Sequence, residues 1–467
     1  MKQGKRGNQK SKNLNQIVAI VLGCFCGFNN GLMLAWPSPF ILKITNDKEN
    51  YDITTDQASY FSVFPSLGML VSGLAFFKLN DAIGRRNTLL LLTIPQLTFW
   101  VITIFSRDIY VLYFARFVSG MSDAALFASL PIYIGEIATP RVRGVWGNLQ
   151  TFFYGFGIFA INVIGSYMTV KTTAYLCVCL PVIFIIFFSR MPESPYYYMM
   201  KGRFEEAKES LQWLRKEDNV EHEFIQIKAD VERQISESGT WKDLFTIETN
   251  VRALIVAIFL RLAQHLAGGT VMQLYTQLIF EMSGTNIGPE ISAIIFTGLL
   301  TAINPISMVL LDRFGRRKSF MVSCFFTAVT LLIYGVYLYL NDFVSTVNLD
   351  SVRWIPLAVT VAWIVVISLG LGQLPTLMIG ELFSASIKTK AVCIYNLIFA
   401  LSYFFNSYIF NVFIFYVGMY FPFMVYAALT FVNAVLAYYI MPETKGRTLE
   451  QIQQHLKMMR FIGTKRK

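Results

Sequence analysis

The stretch DRFGRRK, Asp312 to Lys318, puts five charged side chains into seven residues between two apolar runs. Acids beside arginines can form charge-assisted pairs, and an earlier DAIGRRN, Asp81 to Asn87, offers the same set. Two further motifs recur. GEIATPRVRG holds Glu136 and Arg143 at the separation that Glu381 and Lys388 keep in GELFSASIKTKA, and PES at Pro192 returns as PET at Pro442. A second kind of chemistry lies inside the apolar runs. RLAQHLAGGTVMQLYT sets Gln264, His265, Thr270, Gln273 and Tyr275 around the pair Gly268-Gly269, and SLGLGQLPTL sets Gln373 and Thr376 beside Gly370, Gly372 and Pro375. Polar groups where glycine or proline weakens an apolar helix point to a ligand held at mid-depth of a membrane, although such groups also join helices to one another.

The elements that must position these residues follow from composition. The 467-residue chain is 55% hydrophobic and 15% charged, and apolar stretches long enough to cross a hydrocarbon core as helices recur along it. We read twelve, near 15–42, 57–79, 88–106, 109–135, 143–169, 173–191, 250–281, 290–311, 318–340, 353–383, 389–415 and 418–441. The net charge of +11 collects in the segments that flank and link them, which fits the positive-inside rule and argues against nucleic acid. Lys2, Lys5, Arg6, Lys10 and Lys12 at one end, and Lys445, Arg447, Lys457, Arg460, Lys465, Arg466 and Lys467 at the other, put both termini in the cytoplasm. A basic tail leading into a full-length span reads as an uncleaved insertion signal. Cys24, Cys26, Cys177, Cys179, Cys324 and Cys393 fall within spans and read as packing residues, with neither a disulfide framework nor a metal site.

One long polar stretch divides the spans six and six. The three charged motifs keep their order on either side of it, at nearly constant separation, which implies parallel repeats related by an axis along the membrane normal. The expected fold is an all-α membrane protein of twelve transmembrane helices in two six-helix parallel repeats with a cytoplasmic helical linker. Its parts are a basic tail over 1–14, an N-terminal bundle over 15–191, the linker over 192–249, a C-terminal bundle over 250–441 and a cytoplasmic tail over 442–467. In the linker, GRFEEAKESLQWLRK has apolar positions at helical spacing; it is either a solvated connection or a brace between the bundles.

These residues resemble the sugar porter family of the major facilitator superfamily, its glucose-transporter-like and insect trehalose-transporter-like members. The resemblance spans nearly the whole chain, through D-x-x-G-R-R in both halves, Arg116 and Gly120 in RFVSG, PESP, and PETKGRT near the carboxyl end. It implies a facilitative carrier of hexose or trehalose in the plasma membrane, working as a monomer by alternating access, with no cofactor and no metal. It also implies a conformational latch at the cytoplasmic ends: Arg85, Arg86, Glu136, Arg143 and Glu193 in the first half, and Arg316, Arg317, Glu381, Lys388, Glu443 and Arg447 in the second. For the substrate it points to Gln264, His265, Thr270, Asn162, Gln373, Thr376 and Asn29. Departures from the family pattern sit here: His265 and Thr270 replace a Gln and an Asn, Thr376 stands where a Trp is usual, and Asn162 where a Gln is usual. At Asn29, proton-coupled relatives place an acid, and an Asn carries no proton, so facilitated diffusion is expected. Enzyme signatures such as a P-loop, HExxH or G-x-S-x-G are absent from the sequence. A sugar-binding sensor and a proton symporter are the alternatives.

Overall fold

The computed structural model describes residues 13–236, 239–344, 350–447 and 449–458, so most of the basic tail over 1–14 and the last lysines and arginines lie outside the described residues. Among the described residues all regular structure is helical. Ten helices among the described residues are long and apolar enough to cross a membrane: Leu14–Asn46, Thr55–Ile83, Arg85–Phe105, Ile109–Ile137, Pro140–Tyr167, Val170–Phe188, Pro289–Ser307, Arg316–Phe343, Ser386–Tyr416 and Tyr420–Ile440. Their outer faces carry bare apolar side chains such as Val71, Phe105 and Ile306, as lipid-facing helices must.

The two remaining expected spans are interrupted helices. Over 250–281 the chain forms Glu248–Leu266, Gly269–Leu274 and Thr276–Met282, because Gly268 takes a left-handed turn at φ 77°. Over 353–383 it forms Ile355–Ser368 and Leu374–Leu382, with Pro375 in the first turn of the second piece, where its missing N–H costs nothing. Glycines and prolines therefore break the two stretches at the polar residues that the sequence singles out.

The chain divides into two compact units, residues 1–34 with 64–238, and residues 35–63 with 239–467. The first long apolar stretch is thus shared. Its helix Leu14–Ala35 belongs to the first unit, whereas Pro37–Asn46 packs on Thr276–Met282 in the second. Within the first unit helices touch backbone to backbone. A Cβ on Gly68 would lie 1.9 Å from the Phe117 carbonyl oxygen, and one on Gly31 would lie 2.0 Å from that of Tyr154, so small residues set these contacts.

The polar segment after Met191 folds onto the first unit. Met199, Ala207, Leu211, Val220, Ile227 and Val231 bury a small core of their own. Arg215 pairs with Glu223 at 2.7 Å and donates to the Ile137 carbonyl at 2.9 Å, and the Asn15 side chain donates to the Trp213 carbonyl at 2.7 Å. On the second unit, Thr240 opens the helix Trp241–Thr246 with a capping box, and the Gly239 N–H donates to the Ser386 carbonyl at 3.2 Å.

Candidate functional site

Each D-x-x-G-R-R motif makes a sharp corner between two helices. Gly84 (φ 99°) precedes the helix Arg85–Leu91, and Gly315 (φ 85°) precedes Arg316–Phe343. Such a corner leaves the first N–H groups of the new helix unpaired and adds the positive end of its dipole. The PES and PET glutamates fill that place. Glu193 accepts from the N–H groups of Arg85 at 3.1 Å and Arg86 at 3.0 Å; Glu443 accepts from those of Arg316 at 2.9 Å and Arg317 at 3.2 Å.

The first arginine of each pair then reaches the glutamate of the GE motif. Arg85 donates from Nε and Nη2 to Glu136 Oε1 at 3.2 and 3.1 Å, and its Nη1 bonds the Asn80 carbonyl at 3.1 Å and lies 3.4 Å from Asp81. Arg316 reaches Glu381 through Nη2 at 3.1 Å, and Thr444 donates to the other Glu381 oxygen. The second arginines, Arg86 and Arg317, cap the carbonyls of Ser189 and Tyr438. Arg143 donates to the carbonyls of Gly135 and Ala138, and Lys388 reaches the Gly380 carbonyl at 3.5 Å. Arg447 is exposed, with its backbone N–H turned to Thr444 at 3.2 Å. Each unit therefore gathers one arginine and two glutamates at a helix corner, with the remaining basic residues around it.

The two corners differ in depth. Burial pushes the Glu193 carboxyl above its usual range, despite the N–H groups of Arg86 and Ser194 that oppose it. Burial acts in the same sense on the half-buried Glu443, but the N–H groups of Arg316, Lys445 and Arg317 outweigh it and hold that carboxyl below the usual range.

The interior of the first unit holds a closed polar network. Asn30 donates to Asp123 at 3.1 Å while its carbonyl accepts from Gln96 at 2.6 Å and Ser122 at 2.8 Å, and Tyr154 donates to the same Asp123 oxygen at 3.4 Å. Arg116 donates to the carbonyls of Met33 and Leu34. Asn29, the neighbour, accepts from Trp100 Nε1 at 3.0 Å, and Asn162 donates to the Ile158 carbonyl at 2.9 Å. Both expected residues are buried, but Asn30 is the hub; adjacent asparagines cannot be told apart without the helix phase.

In the second unit the broken helices meet. Gln264 Nε2 donates to the Gly372 carbonyl at 2.6 Å, which ties the Glu248–Leu266 helix to the Leu369–Gln373 break. His265 Nδ1 lies 2.9 Å from Thr270 Oγ1 across the Gly268 turn. Gln373 donates to Asn304 at 2.9 Å, Thr376 is exposed, and the Tyr275 hydroxyl donates to the Ser59 carbonyl at 2.9 Å. Gln264, His265 and Thr270 thus form one cluster, while Gln373 engages Asn304 instead. Sequence reasoning passes over Arg261, which sits within that cluster: its Nη1 donates to Gln264 Oε1 at 2.7 Å.

Comparisons with known proteins bear on this arrangement. The family model described as "Sugar (and other) transporter" matches residues 15–456. The facilitated trehalose transporter Tret1 of Drosophila virilis is 32% identical over 91% of this chain, which spans 47% of that relative, so the chain is about half its length. The Tret1 of Apis mellifera ligustica is 28% identical over 97% of this chain and 89% of its own. Among solved structures, a partially occluded inward-open form of the xylose transporter XylE from E. coli aligns with a TM-score of 0.73 at 15% identity, over 92% of this chain and 100% of that one. The proton:xylose symporter XylE bound to 6-bromo-6-deoxy-D-glucose aligns with a TM-score of 0.71 at 16% identity, over 96% and 100%. At such identity these likenesses speak for the fold.

Proposed function

The chain belongs to the sugar transporter family, and we propose on that premise that it is a facilitative sugar carrier of alternating-access type, with a hexose or trehalose the first cargo to try. A family of transporters, not of enzymes, fits an all-helical, multi-pass membrane protein. The observation that carries the proposal is the charged corner built twice, once in each unit, from the same three motifs. It supports two six-helix repeats, 15–191 and 250–441, joined by the polar segment 192–249, with tails over 1–14 and 442–467 in the cytoplasm of a plasma-membrane protein. In this reading the corners of Arg85, Glu136 and Glu193 and of Arg316, Glu381 and Glu443 stiffen the cytoplasmic ends, and Arg86, Arg143, Arg317, Lys388 and Arg447 complete the latch. A few kcal/mol of differential energy there shifts a two-state carrier from mostly one form to mostly the other. The sugar takes hydrogen bonds from amide and hydroxyl groups among Gln264, His265, Thr270, Gln373 and Thr376 in the second unit.

Uniport follows from Asn29, an amide bonded to Trp100 that cannot carry a proton at neutral pH. A buried carboxylate favours a second reading: Asp123, bonded to Asn30 and Tyr154, could take the proton that Asn29 cannot. Uptake of labelled glucose, trehalose and xylose into proteoliposomes tests both. Equilibration without accumulation, unchanged by an imposed proton gradient, is the expected result. Uphill uptake abolished by a protonophore and by Asp123→Asn would replace uniport with symport, and binding without uptake would make the protein a sensor.

A further inference from the structure

Arg261 lies on the Glu248–Leu266 helix, one turn before Gln264 and His265, in a stretch that is otherwise apolar. Its guanidinium is permanently charged. The Tyr395 ring lies 4.5 Å from it and the Phe399 ring 4.0 Å. Rings attract a cation through their faces, but they satisfy none of the N–H donors, which lie in the guanidinium plane. Its one polar contact among the described residues is Nη1 to Gln264, and Nε is buried with no partner. Arg116, by contrast, gives its donors to the carbonyls of Met33 and Leu34, and Arg85 and Arg316 give theirs to glutamates.

The neighbours add donors rather than negative charge. Gln264 turns its carbonyl to Arg261 and its amide to Gly372, and so brings no negative charge to the guanidinium. His265 is 3% exposed, packs at a tilt against the same Phe399 ring at 5.0 Å, and leaves Nε2 without a partner, since Thr270 engages only Nδ1. An intramembrane cation with uncommitted donors, beside a buried imidazole with an uncommitted nitrogen, is an incomplete site that a single negative charge would complete.

We propose that Arg261 and His265 form an anion-recognising subsite and that the preferred cargo is a sugar bearing one carboxylate, a sugar acid, over its neutral counterpart. The inference rests on the sugar-carrier reading and sharpens it. The guanidinium takes the carboxylate through Nε and Nη2, and the imidazole Nε2 meets an adjacent hydroxyl. A monoanion matches the one fixed charge, whereas a phosphate dianion would bring a charge that nothing among these residues offsets. With no counter-charge moving, transport of such a cargo is electrogenic: an inside-positive potential speeds uptake and an inside-negative one slows it.

The test measures binding and thermal stabilisation of purified protein by glucuronate, glucose, trehalose and glucose 6-phosphate, for the native chain, Arg261→Gln and Arg261→Lys. Glucuronate is expected to bind the native protein roughly tenfold or more tighter than glucose, the size of effect a charge-assisted bidentate contact gives. Arg261→Gln should erase that preference, leaving the glucuronate and glucose affinities within about threefold of each other, and Arg261→Lys, which keeps the charge but not the fork, should fall between. If Arg261→Gln does not fold, the larger melting shift of the native protein with glucuronate than with glucose still decides. Equal affinity for glucuronate and glucose, a preference that survives Arg261→Gln, or tighter binding of glucose 6-phosphate than of glucuronate overturns the proposal. Uptake of neutral sugar with no acid preference would overturn this inference alone; no binding of any of the four compounds would overturn the sugar-carrier reading as well.

Discussion

The two charged corners share one sequence pattern and one hydrogen-bond plan, yet they sit in different solvents. In the first, the Arg85 and Glu136 side chains are 5% and 16% exposed; in the second, Arg316 and Glu381 are 11% and 25% exposed. Arg85 also reaches Glu136 through both Nε and Nη2, whereas the Glu381 contact of Arg316 comes through Nη2. Depth changes what the same residues do. At Glu193 burial prevails over the helix N-terminus, and at Glu443 the N-terminus prevails over burial. Duplicated motifs thus keep geometry while their energetics diverge, and the first corner is expected to be the structural one and the second the more easily opened.

Removing one partner of each pair should show the largest contrast. Arg85→Gln leaves Glu136 buried beside an amide, and breaking a buried pair in this way costs about 3–5 kcal/mol. Arg316→Gln leaves a wetter carboxylate that Thr444 still contacts, and should cost on the order of 1–3 kcal/mol, with impaired transport but measurable surface expression. Melting in detergent checks the order; equal losses would mean that the two corners are energetically alike. Glycine substitutions sharpen the same point at smaller size. Alanine at either corner must adopt a positive φ, a strain of order 1–3 kcal/mol. At Gly84 its Cβ would also come within 2.3 Å of Glu193 Oε2, against 3.1 Å from Glu443 Oε2 at Gly315. Gly84→Ala should therefore melt below Gly315→Ala, and the reverse order would show that the Glu193 side chain yields freely.

These corners are legible in sequence because charge interrupts apolar runs there and the motifs recur. The broken helices are legible for a related reason: Gly268 and Pro375 have few uses inside a long apolar helix other than to interrupt it. Arg261, Asn30 and Asp123 are not. Each stands in an apolar context where only the helix phase decides between lipid, neighbour and cavity, and one sequence does not fix that phase. The assignment of residues 35–63 to the second unit escapes for another reason. Nothing in the run from Leu14 to Asn46 loses its apolar character at Trp36, so composition joins what packing divides.

The smallest predicted contrast is also the one that depends most directly on depth, because it concerns a sign. Glu443 has a folded-state pKa below its unfolded 4.5, so its carboxylate stabilises the fold fully above pH 4.5 and that contribution is lost as pH falls through the lowered folded value. Half-exposed, it contributes under about 1 kcal/mol after screening. Glu443→Gln should therefore melt slightly below the native protein at pH 7, and the gap should close only below pH 4.5. Glu193 has the opposite shift from the same 4.5. Its buried carboxylate carries a cost at pH 7 that is relieved as pH falls through the raised folded value, so the native protein gains on the uncharged Glu193→Gln while pH is still above 4.5. Melting temperatures of the native protein and both variants, taken in steps from pH 7 to pH 4, give two difference curves that should bend in opposite directions. Curves that bend together would show that the two glutamates share one environment and would remove the depth argument on which the comparison of the corners stands.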